Sequence, residues 1–345
     1  MKPFQKRESI AISVVVVAKE AGNVIQHLFS SLSDQGRKPD EVLLIIDRLD
    51  DNTLKVVGFP NSVRVVLSEE GGLGAARNKG LIKAEGDYVV FIDADSCADS
   101  GLLKSIEKFF LENPNVVAQA GPIVNVRSFE EIDKIKSRLQ LLRKKWRKVD
   151  SVIFWPTNNF SVKRDVALSV GGFKKDIHYA GEDMLFCNEL KKACHKIAFN
   201  PEALLYHMYY GHRGGMLRRQ IRSVKGNAEI MIRTKSSRIL FTPLTHIGLI
   251  FLSLLGMVIL ANPMYGIFAL LSVFHRFYRA YVDAKEPTNY MPLTITLLEK
   301  IPLVYVSYFM FILWAPILWL KTHARNEIKK GRFRCWPCLR KSQNP

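Results

Sequence analysis

Tyr88-Val89-Val90-Phe91-Ile92-Asp93-Ala94-Asp95 decides how this chain is read. An unbroken apolar run of β-branched and aromatic residues, with no polar alternation, marks a strand covered on both faces. Strands of that kind belong to parallel sheets flanked by helices. Two carboxylates follow at its carboxyl end, where open α/β sheets place their ligands. Hard oxygen donors there suit Mg²⁺ or Mn²⁺, which bridge phosphate oxygens. An Asp-x-Asp by itself is most often a solvated turn; its place directly after a buried strand lifts this one above that reading.

Upstream lies Gly71-Gly72-Leu73-Gly74-Ala75-Ala76-Arg77-Asn78-Lys79-Gly80. It reads as a glycine loop opening a helix over Leu73–Ala84, where free backbone N–H groups and the helix dipole favour phosphate. Arg77 and Asn78 add side chains able to contact a phosphate or a sugar. The stretch fits neither the dinucleotide fingerprint nor the P-loop pattern. Further strands are predicted at Ala11–Val17, Glu41–Ile46, Ser62–Leu67 and Val116–Ala120, with helices around Gly22–Ser33 and over Leu102–Asn113. This alternation predicts βαβ units and a mostly parallel sheet. The second strand runs into Asp47, Asp50 and Asp51, carboxylates able to accept hydrogen bonds from ribose hydroxyls or a base. Farther on, Gly181-Glu182-Asp183 opens a helix predicted over Asp183–Lys192, so a carboxylate there is a general base or an N-cap acid. His207 is a candidate third metal ligand.

Between these segments, Phe129, Ile132, Ile135, Leu139, Leu142, Trp146 and Val149 recur at spacings of three and four. They form one apolar stripe on a helix, with Arg and Lys filling most of the remainder. Such a helix either docks on its own domain or lies in a membrane interface.

The chain has 345 residues, of which 48 % are apolar, so it has ample material for a core and room for roughly two units. Five cysteines exclude a disulfide scaffold and suit a reducing compartment. Cys335 and Cys338 have the spacing of a zinc or redox pair, but no second pair exists in the tail to complete a zinc site. The net charge of +18 is gathered in three stretches, Arg127–Lys148, Tyr210–Leu240 and Lys321–Pro345. The second and third flank apolar segments, as attraction to anionic lipid and the positive-inside rule would produce, and this argues against a nucleic-acid partner.

Those apolar segments are about Ile239–Leu260, Met264–Tyr281 and Ile301–Leu320. The first and third are long enough to span a bilayer, at about 20 residues. The expected organisation is a cytoplasmic catalytic domain at 1–238, a membrane region of two to three apolar helices at 239–320, and a basic tail at 321–345. Two spans would return the tail to the cytoplasm and three would not; both stay open. The run Ile10–Ala18 mimics a signal peptide but is short, Val-rich and without a cleavage pattern, so it reads as a strand.

In order and spacing, residues 10–230 resemble the inverting family-2 glycosyltransferases with the GT-A fold. Ser13-Val14-Val15-Val16-Val17-Ala18-Lys19-Glu20 resembles the opening strand, with Glu20 on its acidic position and the family's proline absent. Pro39–Asp47 resembles the second strand, with Asp51 on the later acidic position. Gly74–Gly80 resembles the Ala-Arg-Asn-x-Gly signature, Asp93-Ala94-Asp95 the Asp-x-Asp, and Gly181-Glu182-Asp183 the Glu-Asp site. The Gln-x-x-Arg-Trp of processive synthases is missing after Gln220, which implies single transfers.

The resemblance implies a nucleotide-diphosphate sugar donor held by Ala18, Glu20, Asp47, Asp51, Gly74, Arg77, Asn78 and Asp93. It implies one divalent metal, Mg or Mn, on Asp93 and Asp95, with His207 as the candidate third ligand, and Asp183 as base with Glu182 beside it. The acceptor is expected to be lipid-linked or a polyprenyl phosphate, in a multi-pass protein of the cell membrane. A polyprenyl-phosphate sugar synthase and a non-catalytic membrane scaffold are the alternatives.

Overall fold

The computed structural model describes residues 9–18, 21–46, 53, 62–126, 128–147, 149–152, 155–177 and 180–208, and a few residues between 222 and 233. The chain divides into one compact unit of residues 1–212 with 283–292 and another of 213–282 with 293–345. In the second unit, Arg233 pairs with Glu229 at 2.8 Å.

The first unit is built on an eight-stranded sheet. Strands β1 (Ile12–Ala18), β2 (Glu41–Ile46), β3 (Val63–Leu67) and β4 (Tyr88–Asp93) carry the alternation expected of them. They pair in parallel in the order β3-β2-β1-β4. Beyond β4 come β9 (Phe160–Lys163), β6 (Ala118–Ala120), β10 (Ile197–Phe199) and β8 (Ser151–Val152). Here β9 runs antiparallel to both β4 and β6. A second sheet of β5 (Ser96–Ala98), β11 (Leu205–Met208) and β7 (Ile123–Val126) has β11 in its centre. The lengths of β5 to β11, four residues or fewer, explain why no hydrophobic period announced most of them.

Alternate residues of the central strands feed two separate cores, which is why those strands are apolar throughout. Ile12, Val14, Val16, Leu44, Val90 and Ile92 pack with α1 (Ile25–Ser33) and α3 (Leu102–Glu112). Val15, Leu43, Ile45, Val89 and Phe91 face the other way, toward α2 (Leu73–Lys83), α4 (Ile132–Trp146) and α6 (Glu182–Lys192). Of the stripe on α4, Ile135, Leu139 and Trp146 are buried in this core and Phe129 and Ile132 pack against it, whereas Val149 is exposed. Docking on its own domain therefore accounts for these five positions of the stripe. Among the described residues no helix is long and apolar enough to cross a membrane, and the three apolar segments after residue 238 lie outside them.

Helix α2 can lie this close to the sheet only because position 80 has no side chain. A Cβ on Gly80 would sit 2.3 Å from Val15 Cγ1 and 3.3 Å from Ile45 Cγ1. Val15 is β-branched and fully buried, so it cannot swing aside. Gly80→Ala should gain about 1 kcal/mol of helix propensity and lose about 1–3 kcal/mol to overpacking. The expected result is a net loss of stability, read as a lower midpoint in urea unfolding; an unchanged or higher midpoint would contradict this packing.

Candidate active site

Strand β4 delivers Asp93, a turn carries Asp95, and β5 begins at once with Ser96. Asn158 holds this turn: its Oδ1 accepts the Asp93 N–H at 3.0 Å, and its Nδ2 donates to Ser96 Oγ at 3.1 Å. The neighbouring Asn159 sits at φ 63°, donating its own N–H to Phe91 O at 3.0 Å and its side-chain amide to Pro122 O and Ala203 O. Left-handed backbone suits Asn better than most residues, because its short polar side chain is rewarded locally.

The second sheet supplies what the sequence separates most. In β11, His207 pairs across Ser96 on one side and Asn125 on the other, and the Met208 N–H donates to Asp95 O at 2.9 Å. His207 Nε2 thereby lies 3.2 Å from Asp95 Oδ1. Asp93, Asp95 and His207 each offer one ligating atom, all within 4.8 Å of one another. Two carboxylates and an imidazole at that spacing fit a divalent ion accepting oxygen and nitrogen donors. The Asp93 side chain, at the carboxyl end of β4, is 39 % exposed. Burial pushes its pKa up, opposed by Arg77 and reinforced by Asp95.

Arg77 joins this cluster to the second pair of carboxylates. It is 5 % exposed, and its guanidinium pairs with Glu182 while reaching Asp93 at 3.7 Å. Its Cζ lies 5.8 Å from the centre of the Phe173 ring, within cation–π range. Glu182 is thus buried and already paired. Asp183, the next residue on α6, has no cation within ion-pair distance among the described residues. Its Oδ1 accepts the N–H of Met184 at 2.7 Å. Burial, then repulsion from Glu182, raise its pKa from 3.8 to about 6. The helix starts abruptly because Gly181 sits at φ 103°, which side chains rarely tolerate.

The remaining candidates divide. Asn78 is 7 % exposed and locked to Phe173, donating to its carbonyl at 2.7 Å and accepting its N–H at 2.8 Å. Both Arg77 and Asn78 are thus buried, with Asn78 bound at both ends of its amide by Phe173 and Arg77 paired with Glu182. Gly74 lets the 173–174 segment approach, since a Cβ there would lie 2.6 Å from Lys174 O. Ala18 is buried at the end of β1. Glu20, Asp47 and Asp51 lie outside the described residues. Asn125 was not among the site residues expected from the sequence, because its role comes from pairing across distant strands, whereas Asn158 acts from the turn before β9 through its side-chain amide.

The Glycosyl transferase family 2 model matches residues 13–170. Over those residues the chain is similar to glycosyltransferase family 2 domains. The match closes before Glu182, Asp183 and His207. The chain is 23 % identical over 220 residues to the glucosyl-dolichyl phosphate glucuronosyltransferase of Haloferax volcanii, covering 59 % of this chain and 70 % of that one. It is 30 % identical over 142 residues to the pre-mycofactocin glycosyltransferase of Mycobacterium tuberculosis, covering 39 % of this chain and 30 % of that one. Among solved structures, the mannosyltransferase PcManGT of Pyrobaculum calidifontis, in complex with GDP-Man and Mn²⁺, superposes with a TM-score of 0.52 at 19 % identity. That superposition covers 92 % of this chain and 88 % of that one. This last likeness is one of fold, a GT-A-like α/β arrangement.

Proposed function

We propose that the chain moves a sugar from a nucleotide-diphosphate donor to a lipid-linked acceptor at a membrane, in single transfers with inversion. The observation that carries this is the juxtaposition of a metal-competent Asp93–Asp95–His207 cluster with a second carboxylate pair through one buried arginine. Asp93, Asp95 and His207 would hold a divalent ion. Bound there, it would neutralise charge developing on the departing diphosphate. Asp183 accepts the proton of the acceptor hydroxyl as that oxygen bonds to the anomeric carbon and the bond to the diphosphate breaks. Attack from the face opposite the leaving group inverts the carbon. Arg77 engages Glu182, which reserves the base role for its neighbour.

The lipid-linked acceptor is supported by the dolichyl phosphate in the name of the Haloferax relative. The apolar segments with their basic flanks support a membrane location with the catalytic domain on the cytoplasmic side. The test is mass spectrometry of lipid-linked glycans in cells with and without the protein. Loss of one sugar from a lipid-linked oligosaccharide is the expected result. Loss of a polyprenyl-phosphate monosaccharide would favour the synthase alternative, and an unchanged profile would overturn the proposal.

Asp95→Ala should abolish metal-dependent donor binding without unfolding the domain. The bond from Met208 N–H goes to the Asp95 carbonyl, which the variant keeps. Residues that merely support a metal ligand typically contribute about 10–100-fold in affinity, so removal of a ligand should exceed that. Calorimetry with nucleotide-sugar and Mn²⁺ decides it, and unchanged affinity would count against this metal site.

A further inference from the structure

We infer that Asn125 is a positioning residue for the metal: it fixes the ring and tautomer of His207 so that Nε2 faces the ion. This rests on the metal reading of the proposed function. His207 and Asn125 are directly paired in the β7–β11 register, and His207 Nδ1 lies 3.0 Å from Asn125 Oδ1. The opposite ring nitrogen, Nε2, is the one beside Asp95. A neutral imidazole has one N–H and one lone pair, so a lone pair on Nε2 requires the proton on Nδ1. The Asn125 carbonyl oxygen is the acceptor that holds it there. Without that acceptor the proton redistributes between the two nitrogens and the ring loses its orientation, which weakens ligation. Both residues are carried by neighbouring strands of one small sheet, so the arrangement is held by backbone pairing rather than by a loop.

The test is a double-mutant cycle on the full chain, titrated with Mn²⁺ alone and followed by electron paramagnetic resonance of the free ion. Asn125→Leu should weaken Mn²⁺ binding about 10–100-fold. In a His207→Ala background the same change should cost nothing further, because Asn125 acts only through the ring. Asn125→Asp keeps the acceptor and the side-chain size, so it should retain the affinity, and it serves if Asn125→Leu does not fold. In the His207→Ala background Asn125→Asp should bring no gain. Unchanged Mn²⁺ affinity in Asn125→Leu would overturn the inference, as would an equal loss with and without His207. His207→Ala that binds Mn²⁺ as the parent does would overturn the metal reading itself, and the role of Asn125 with it.

Discussion

Asp183→Asn should lower sugar transfer by about 10²–10⁴-fold while leaving donor binding close to normal. An amide cannot accept the acceptor's proton, and the metal-competent residues lie on other elements, at Asp93, Asp95 and His207. Glu182 is not a substitute, because it is buried against Arg77. The parent enzyme should show a rate that falls tenfold per pH unit below about 6, where Asp183 becomes protonated, and the Asn variant should lose that limb. Stability should move the other way. The folded pKa lies above that of the unfolded chain, so the native state binds the proton more tightly. The penalty for ionising Asp183 is therefore absent below about pH 4 and fully present above about pH 6. At 1.36 kcal/mol per pKa unit, reduced for partial exposure, the Asn variant should be about 1–2 kcal/mol more stable at neutral pH and no more stable at pH 4. Transfer of labelled sugar to a lipid extract, with urea unfolding at the two pH values, checks both halves. Near-normal turnover would place the base elsewhere.

Arg77→Leu should cost about 3–5 kcal/mol of stability, a large part of what a domain of this size possesses. The change leaves the Glu182 carboxylate buried without its cation and removes the charge that offsets the raised pKa of Asp93. Arg77 also lowers the pKa of Asp183, so any surviving activity should have its acid limb shifted upward. Replacing the pair together, as Arg77→Leu with Glu182→Leu, should recover much of the loss, because the penalty belongs to the stranded charge. Chemical denaturation of the single and double variants measures this. A single variant as stable as the parent would mean that water, not Arg77, compensates Glu182.

The parallel half of the sheet was legible because β1, β2 and β4 are long and apolar enough to carry a period. Asp93 and Asp95 were legible with it, since their meaning depends only on following a buried strand. The division of labour between Glu182 and Asp183 was not. Side chains adjacent on a helix diverge by about 100°, and which one meets Arg77 depends on how α6 packs on α2. Asn78 shows the opposite limit. Within a glycine-rich helix start it looks like a ligand group, yet a backbone segment arriving from Phe173 claims both ends of its amide. The apolar stripe of α4 was plain in the sequence, but only the core it meets says what covers it.

Placing His207 on the central strand of the small sheet also sets an order of assembly. During synthesis Asp93 and Asp95 are made well before His207, so two of the three donors precede the third. On the metal reading proposed above, an ion held by all three donors would need β11 already seated between β5 and β7, a closure whose entropic cost grows slowly with the length of chain it spans. Loading would then follow the pairing of β11. An ion bound only by the paired sheet would in turn hold β11 in place by mass action, so a single contact would serve both the proposed chemistry and the seating of that strand.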